Sequence, residues 1–287
     1  IANVRDYMYW DTESGDGYGY GGLIEEVNST YATWNWQNVL NFTRTFNSVH
    51  NLTATAVQEY THSETEYMDG SVYELSDPFF SEHIISNTFG QKDVGGWKSE
   101  NGLASYMFRA NYNYDSKYYI GASIRYDGLS KLPKDTRWGT FWGASAAWRL
   151  SREKFWTEAP VNEWFNDLRL RASYATIGNS ALGSDYPYLG TYGAKLVGPM
   201  AGIAWNVMGN NNLKWETTET FDIGLDGALF NNRMTFEIAY WQKNSKDLVL
   251  RVPTPPTMGI PNNYYYDNIG KIKNSGFELT VGGTIIN

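Results

Sequence analysis

The chain has 287 residues, a formal net charge of −8 and no cysteine. The acidic balance argues against nucleic acid as the main partner, because no basic stripe is present to neutralise phosphates. The lack of cysteine excludes disulfide scaffolds and thiolate metal sites. Aromatic residues make up 16% of the chain at a mean hydropathy of −0.48, which excludes a disordered chain. No apolar run reaches the roughly 20 residues that a membrane-spanning helix needs.

Alternation of apolar and polar residues dominates the sequence and predicts β-strands, because successive side chains of a strand point to opposite faces. A weaker strand is predicted at 1–10. Between Thr30 and Phe46 most apolar residues occupy even positions, and the odd positions are mainly polar. A turn at Asn47-Ser48 separates this run from a second alternating run beginning near Leu52. The pattern predicts a pair of neighbouring strands.

A second pair shows the alternation more clearly, with strands predicted over 104–114 and 118–126 on either side of a tight turn at 115–117. Arg109 and Arg125 fall on the polar parity of their strands and are expected to face a barrel lumen. No helix is expected here. The residues expected to point outward are Tyr106, Phe108, Tyr112, Ile120 and Ile124.

Further strands bring the expected total to about ten. They are predicted near 138–150, 167–177, 213–229, 234–244 and 274–287, with a hairpin turn at Asn231-Asn232. The last run has no partner turn after it, and unpaired amides on a strand edge in lipid cost several kcal/mol each. We therefore expect the chain not to close a barrel alone and other strands to flank both of its ends.

The predicted connections alternate between shorter and longer segments. The shorter ones fall near 47–51, 115–117, 152–166 and 230–233, and the longer ones near 11–29, 63–102, 127–137, 178–212 and 245–273. This asymmetry is typical of bacterial outer-membrane barrels, which have short periplasmic turns and long extracellular loops. The 152–166 connection is long for a periplasmic turn.

Strand length and charge placement favour a membrane barrel over a soluble β-sandwich, whose strands also alternate. Membrane strands need roughly 9–11 residues, and most of the predicted strands reach that length. An arginine that faces lipid at mid-bilayer costs about 2–4 kcal/mol, so the placement of arginines is informative. Five of them lie on the polar parity of their strands: Arg109, Arg125, Arg149, Arg169 and Arg171. The same holds for four acidic residues: Asp222, Asp226, Glu237 and Glu278.

Four ordered blocks of the chain form a recognisable series. They read RYDGLSKLPKDTRWGTFWGASAAWRLSREKF at 125–155, NDLRLRASYATIGNSALGSDYPYLGTYG at 166–193, NNLKWETTETFDIGLDGALFNNRMTFEIAYWQKNSKDLVLRVPTP at 211–255 and NIGKIKNSGFELTV at 268–281. In this order and spacing they resemble the SusC/RagA family of TonB-dependent outer-membrane transporters. The resemblance implies an all-β antiparallel barrel of roughly 22 strands with a plug inside. Residues 1–287 would then be about half of the wall of that single barrel domain. We recognise no plug, TonB box or N-terminal regulatory domain in the chain.

The resemblance also implies a function and its partners. It implies active import of glycans or peptides across the outer membrane of a Gram-negative bacterium, with a SusD-like surface lipoprotein as lid and the TonB–ExbB–ExbD complex as energy source. It implies contact with outer-membrane lipid and no catalytic residue, so the chain is not expected to be an enzyme. Two alternatives remain open: a passive porin or adhesin barrel, and a soluble β-rich carbohydrate-binding module or hydrolase.

Aromatic residues in the predicted loops are the best candidates for contact with a substrate or a partner protein, since aromatic faces offer stacking platforms. Packing between loops is the simpler explanation for any one of them. The candidates are Trp97, Tyr186, Tyr188, Trp205, Tyr264, Tyr265 and Tyr266.

Other motifs carry weak signals. Residues 17–22 fit the G-x-G-x-x-G pattern, but the dinucleotide fingerprint needs a strand before it and a helix after it. The acidic segment 11–17 could hold a structural Ca²⁺, although its spacing is not that of the standard calcium loop. His50, His62 and His83 show no paired spacing for zinc. An acidic, solvated edge is a better explanation than a metal site for His62 with Glu59, Glu64 and Glu66.

Overall fold

The computed structural model describes residues 1–10, 19, 21–75, 84–86, 88–197 and 200–284. Within these ranges the chain forms twelve β-strands and one short α-helix, α1 (Lys154–Thr157). The strands are β1 (Ala2–Trp10), β2 (Leu23–Phe46), β3 (His50–Tyr73), β4 (Lys92–Tyr114), β5 (Tyr118–Leu129), β6 (Trp138–Arg149), β7 (Phe165–Asn179), β8 (Thr191–Val197), β9 (Met200–Val207), β10 (Glu216–Leu229), β11 (Met234–Pro253) and β12 (Tyr264–Gly283). No helix of the described residues is long and apolar enough to cross a membrane.

Ten strands form one antiparallel sheet in the order β1-β2-β3-β4-β5-β6-β7-β10-β11-β12. Every strand lies beside its neighbour in this meander, and β8 and β9 form a separate two-stranded hairpin between β7 and β10. The described part of β1 and that of β12 are the two edges of the sheet, so the barrel is not closed among the described residues. The all-β antiparallel prediction is confirmed.

The chain divides into two compact units. The first unit contains residues 1–36 and 61–102, and its core is formed by Ile24, Val72 and Leu75. The second unit contains residues 37–60 and 103–287 and holds the larger buried cluster, which lies where β5, β6 and β10 end or begin.

The predicted faces of β4 and β5 are confirmed. Phe108 lies across from Ile124 and Tyr112 from Ile120, so these apolar side chains share one face of the sheet. Arg109 lies across from Ser123 and takes the opposite face, because the pleat alternates side chains along each strand. Residues 103–126 contain no helix.

The predicted long loops at 63–102 and 245–273 are wrong, because strands fill much of both segments. β3 and β4 each continue well beyond membrane length. These extensions are polar, so they lack the apolar alternation that predicts strands. Polar side chains pair across them instead, as where Thr33 Oγ1 and Ser63 Oγ lie 3.1 Å apart. The β8–β9 hairpin inside the predicted 178–212 loop was also missed.

Tight turns connect successive strands at one end of the second unit. Asn47 and Ser48 have φ of 46° and 60°, and Asp115 and Ser116 have φ of 50° and 54°. Two successive left-handed residues are typical of the hairpin turn whose twist matches that of the strands. The 230–233 turn also contains left-handed residues, so the three predicted tight turns are confirmed.

The remaining connection at this end, between β6 and β7, is longer and partly helical. It contains α1 and the 3₁₀ segments Leu150–Arg152 and Pro160–Glu163. Glu153 ties it to the sheet, because its Oε1 accepts hydrogen bonds from Tyr118 OH at 2.5 Å and from Trp148 Nε1 at 3.1 Å. Both hydrogen bonds lower the pKa of the Glu153 carboxyl, and the one from Tyr118 has the larger effect.

Candidate functional site

The far end of the second unit, opposite the tight turns, is organised around a buried apolar cluster. Phe141 occupies space left by two glycines, since a Cβ at Gly139 or Gly178 would lie 2.6 or 2.2 Å from its ring. Trp215 packs edge-on against Phe141 with ring centroids 5.2 Å apart. The full cluster is Leu129, Leu132, Phe141, Leu182, Leu213 and Trp215. It fixes the loops that follow β5 and β7 and the segment that precedes β10.

Residues 208–215 are held against β12 by a set of polar contacts. Asn210 Nδ2 donates to the Tyr266 carbonyl and to Asp267 Oδ1, both at 3.0 Å. Asn268 accepts from the Lys214 backbone N–H at 2.9 Å and donates back to the Lys214 carbonyl at 3.0 Å. Leu213 and Trp215 belong to the third of the four sequence blocks and are buried in the apolar cluster. They therefore have a structural role.

The candidate tyrosines 264–266 lie at the start of β12 and not in a loop. Tyr264 and Tyr266 share one face and flank the Arg251 guanidinium, which lies 4.6 Å and 5.9 Å from their ring centroids. Tyr266 also packs against the buried cluster. Tyr265 points to the opposite face by the alternation of the strand and forms an isolated parallel bridge with Met208. The loop placement of all three is corrected.

Tyr186 and Tyr188 do lie in the loop between β7 and β8, as predicted, but their surroundings differ. Tyr186 is exposed, and its backbone N–H donates to Ser184 Oγ at 3.3 Å. Tyr188 is half-buried against the apolar cluster, and its carbonyl accepts from the Asn210 N–H at 3.0 Å. Tyr186 therefore has an exposed side chain, and Tyr188 has a structural role.

Trp205 lies in β9, so its placement in a loop is corrected too. Its ring packs on Tyr192 of β8 with centroids 4.4 Å apart. The hairpin leaves apolar side chains in solvent: Tyr192 is 58% exposed, Ile203 81% and Trp205 40%. Exposed aromatic surface of this kind is enriched where proteins bind one another.

Trp97 lies in β4 within the first unit, again in a strand and not a loop. Its ring stacks on that of Tyr67, with centroids 5.6 Å apart and 13° between the ring planes. Trp97 is nevertheless 55% exposed. One face of its indole is covered by Tyr67 and the side chain still offers area to a ligand.

His62 approaches two carboxylates in the first unit. Its Nε2 lies 4.0 Å from Glu64 Oε2 and 3.9 Å from Glu100 Oε2. Lys98 Nζ lies 2.7 Å from the other oxygen of Glu64 and 3.5 Å from Glu66. The lysine supplies a positive charge to Glu64 and Glu66, which fits the prediction of a solvated, charged edge.

Two sequence motifs fall partly or wholly on residues that the structure does not describe. Residues 17, 18 and 20 of the G-x-G-x-x-G segment lie outside the described residues, and so do the whole acidic segment 11–17 and His83. The calcium expectation for 11–17 stays a prediction.

The polar face of the second unit carries a network of ion pairs. The sequence predicts that its residues share a face, but it does not predict which residues pair. Arg171 of β7 is central: its Nη1 lies 2.5 Å from Asp222, its Nε lies 3.2 Å from Asp226, and its Nη2 donates to Glu237. Arg169 Nη2 donates to the second oxygen of Asp226 at 2.6 Å. Their common parity predicted that these residues share a face, but their pairing needed the register of three strands.

Comparison with known proteins places this architecture. Residues 2–285 match the family described as TonB dependent receptor-like, beta-barrel. The chain is 31% identical over 90% of its length to TonB-dependent receptor P39 of Formosa agariphila, and 31% identical over 66% of its length to TonB-dependent receptor SusC of Bacteroides thetaiotaomicron. It covers 24% and 19% of these relatives, so it spans about a quarter or less of their length.

A solved structure agrees with the sequence comparison. The structure of the RagAB peptide transporter superposes on 99% of the chain with a TM-score of 0.87 and 26% identity, and the chain covers 31% of that protein. The match to the family extends over nearly every strand, and the fold is the same. The chain therefore belongs to the TonB-dependent receptor β-barrel family, and it is a SusC/RagA-like segment of an outer-membrane barrel of Gram-negative bacteria.

Proposed function

We propose that this chain forms part of the wall and the outer rim of a barrel that actively imports oligosaccharides or oligopeptides. The TonB–ExbB–ExbD complex would supply the energy. One observation carries the proposal: the likeness to the RagAB peptide transporter extends over nearly the whole chain. The segment would contribute binding surface and no chemistry, in keeping with a family of receptors and not of enzymes.

The two faces of the sheet have separate roles in this proposal. The face with Phe108, Ile120 and Ile124 meets lipid, since each of these side chains is about half exposed. The face with the Arg171 network lines the interior, because arginine at the bilayer centre costs about 2–4 kcal/mol on the lipid side. An oligomer that passes through the barrel would therefore meet charged and small polar side chains.

The two ends of the strands also differ in role. Outer-membrane barrels place short turns in the periplasm and long connections outside. The tight turns at Asn47-Ser48 and Asp115-Ser116 would then be periplasmic. The apolar cluster, the 208–215 segment and the β8–β9 hairpin would form the extracellular rim.

The hairpin is the surface we assign to a SusD-like lipoprotein lid. Tyr192, Ile203 and Trp205 support this assignment because they expose apolar area on a small element outside the main sheet. The other candidates support it less, since Tyr266 and Tyr188 contact the buried cluster. Trp97 and Tyr186 remain candidates for substrate contact.

The test uses the full-length transporter expressed together with the SusD-like lipoprotein whose gene lies beside its own. Tyr192→Ala combined with Trp205→Ala should reduce co-purification of the lipoprotein about tenfold or more, since hot-spot aromatic residues at interfaces contribute about 2 kcal/mol or more each. Uptake of labelled oligomer should fall in parallel. The control carries Asn231→Gly and Asn232→Gly, which keep the left-handed turn at the opposite end and should leave both readouts unchanged.

Energy dependence separates this proposal from a passive porin or an adhesin. Deletion of TonB should abolish uptake by the unaltered transporter. Uptake that continues without TonB would contradict active import. If only the Asn231→Gly, Asn232→Gly variant lost lipoprotein binding, the tight turns would be extracellular and the hairpin periplasmic, the reverse of the proposed orientation.

A further inference from the structure

The connection between β6 and β7, residues 150–164, is longer than the tight turns beside it, and the import function gives it no role. It keeps large aromatic side chains in the open, since Phe155 and Trp164 are each more than half exposed. The neighbouring turn adds Phe230, whose side chain is also more than half exposed and whose N–H donates to the Trp164 carbonyl at 2.8 Å. Exposed apolar side chains of this size make the connection a candidate contact surface.

The first part of the connection is attached to the outward face of the sheet, which carries Ile120 and Ile124. Trp148 lies across from Tyr118 in the register of β5 and β6, and their rings stack with centroids 6.4 Å apart. Glu153 accepts a hydrogen bond from each of these two side chains. Phe155 then packs edge-on against Trp148, with centroids 6.5 Å apart. Phe155 therefore extends the outward face beyond the end of β6.

A later part of the connection meets the same face further along the sheet. Trp156 packs edge-on against Phe165 of β7 with centroids 5.6 Å apart, and its Nε1 donates to the Phe165 carbonyl at 3.2 Å. Phe165 in turn packs edge-on against Phe236 of β11, with centroids 5.9 Å apart. Phe236 directly precedes Glu237, which belongs to the Arg171 network on the polar face, so Phe236 takes the outward face. The connection thus follows the outward face from β6 to β11.

Two groups of rings mark two levels on the outward face. At the tight-turn end the rings continue from Tyr118 to Tyr114, 6.3 Å away, and to His50, 5.0 Å from Tyr114. Nearer the far end, Tyr106 lies across from Tyr126. Tyr106 and Tyr114 are about 26 Å apart along their strand, at roughly 3.3 Å per residue, which gives roughly 20 Å of height at the usual strand tilt. The apolar band of such barrels is about 25 Å tall and is bordered by aromatic girdles, so the connection lies at one boundary of the lipid.

The charges of the connection fit the headgroup zone of a membrane. Arg152 and Lys154 stand on either side of Glu153, and both are exposed. Long basic side chains at such a boundary can lay their stems on apolar surface and keep their charged ends in the polar layer. Glu158 and Glu163 follow in the same connection and are exposed too. Both signs of charge suit a zwitterionic phospholipid better than an anionic one.

We propose that the β6–β7 connection is an interfacial anchor that binds zwitterionic phospholipid in the leaflet at the tight-turn end. Phe155 and Trp164 enter the boundary between headgroups and acyl chains, as the apolar side chains of interfacial segments do. The basic side chains contact lipid phosphates, and the acidic ones contact lipid ammonium groups. The inference rests on the proposed assignment of the outward face to lipid. It does not depend on which side of the membrane the tight turns face or on what the barrel imports.

A soluble partner protein is the other possible occupant of an exposed aromatic surface. Such a partner would suit rings that stand apart from the lipid-facing wall. The rings of Phe155 and Trp156 instead continue that wall through Trp148 and Phe165. This continuity favours lipid over a protein.

The experiment measures the depth of nitroxide labels on the full-length transporter in nanodiscs of phosphatidylethanolamine and phosphatidylcholine. This chain contains no cysteine, so an introduced one is a unique labelling site once any cysteine elsewhere in the full-length protein is replaced by serine. The labelled variants are Phe155→Cys and Trp164→Cys. Ile120→Cys is the reference in lipid, and Ser48→Cys, at an exposed turn, is the reference in water. Electron paramagnetic resonance compares collisions with oxygen, which concentrates in lipid, and with a polar nickel complex, which stays in water.

The ratio of oxygen to nickel collisions at Phe155 and Trp164 should be about threefold or more above that at Ser48 and below that at Ile120, since interfacial segments are buried about 5–10 Å into the headgroup–acyl boundary. Exchange of the lipid for anionic phosphatidylglycerol should not increase these ratios. The two sites are labelled one at a time, so a variant that fails to fold still leaves the other to decide.

Three results would overturn the inference. A ratio at either labelled site that equals the ratio at Ser48 would place the connection in water and favour a soluble partner. Intermediate ratios that appear only in phosphatidylglycerol would refute the assignment to zwitterionic lipid. A water-like ratio at Ile120 would refute the lipid assignment of the outward face, and the anchor with it. Uptake that continues without TonB would instead contradict the import function and leave the anchor standing.

Discussion

The two ends of the second unit are closed by different kinds of interaction. At the tight-turn end, neighbouring residues such as Asp115 and Ser116 adopt left-handed backbone conformations and reverse the chain within a few positions. At the far end, Trp215 Nε1 donates to the Arg137 carbonyl, which lies 78 positions away in sequence. Local conformational preference determines the first end, and packing between distant segments determines the second.

This difference matters for function. A turn made by two residues presents little surface, so it can only connect strands. The far end assembles an apolar cluster, a polar attachment of 208–215 to β12 and an exposed hairpin, and it therefore offers shaped surface. Loops positioned by a rigid scaffold commonly carry binding. Substitutions at three positions probe how strongly each end depends on its own kind of interaction.

The largest effect is expected for Trp215→Ala at the far end. The substitution removes a buried indole that packs on Phe141, and it leaves the Arg137 carbonyl without that donor. A loss of about 3–5 kcal/mol is typical for such a truncation. The measurement is the urea midpoint of the full-length transporter, with proteolysis of 130–137 as a local readout. Trp205→Ala, at a more exposed indole, should shift the midpoint far less, and equal shifts would contradict a packed rim.

A smaller effect is expected for Asn268→Ala, which tests the polar attachment of 208–215. Its side chain donates to the carbonyls of Lys214 and Asp247 and accepts from the Lys214 N–H. Loss of these bonds should cost about 1–3 kcal/mol. Faster amide hydrogen exchange at 208–215 would report it. Asn211→Ala, an exposed neighbour, is the control, and no difference between the two would show that the cluster alone holds the segment.

The smallest effect is expected at the tight-turn end, from a pair of substitutions at Ser116. Its φ of 54° is costly for a residue with a Cβ, by roughly 1–2 kcal/mol. Ser116→Gly should therefore be more stable than Ser116→Ala by about 1 kcal/mol, because glycine has no Cβ. Both variants lose the hydroxyl group, so that loss cancels in the comparison. The urea midpoints of the two variants provide the test. If the alanine variant were the more stable, local backbone preference would not control this turn.

Sequence reasoning succeeded where a single short-range rule applies. The parity of Phe108 and Arg109 followed from the alternation of side chains along a strand, and the cross-strand pairs agree with it. The turn at Asn231-Asn232 followed from residues that tolerate left-handed backbone. The family-like blocks led to the fold, which the match over 2–285 confirms.

Sequence reasoning failed where strands are polar or where partners are distant. Trp97 and Tyr264 were placed in loops because the strands around them lack apolar alternation, yet they lie in β4 and β12. The β8–β9 hairpin was not predicted either. The assignment of these residues to ligand contact was based on composition, and composition does not distinguish Tyr186, which is exposed, from Tyr188, which packs on the cluster.

The sequence by itself determined which side chains share a face and where the tight turns fall. Both depend on backbone geometry between residues that are close in the chain. Only the tertiary structure decided which charges are paired, because Arg171 meets Asp222, Asp226 and Glu237 through the register of three strands.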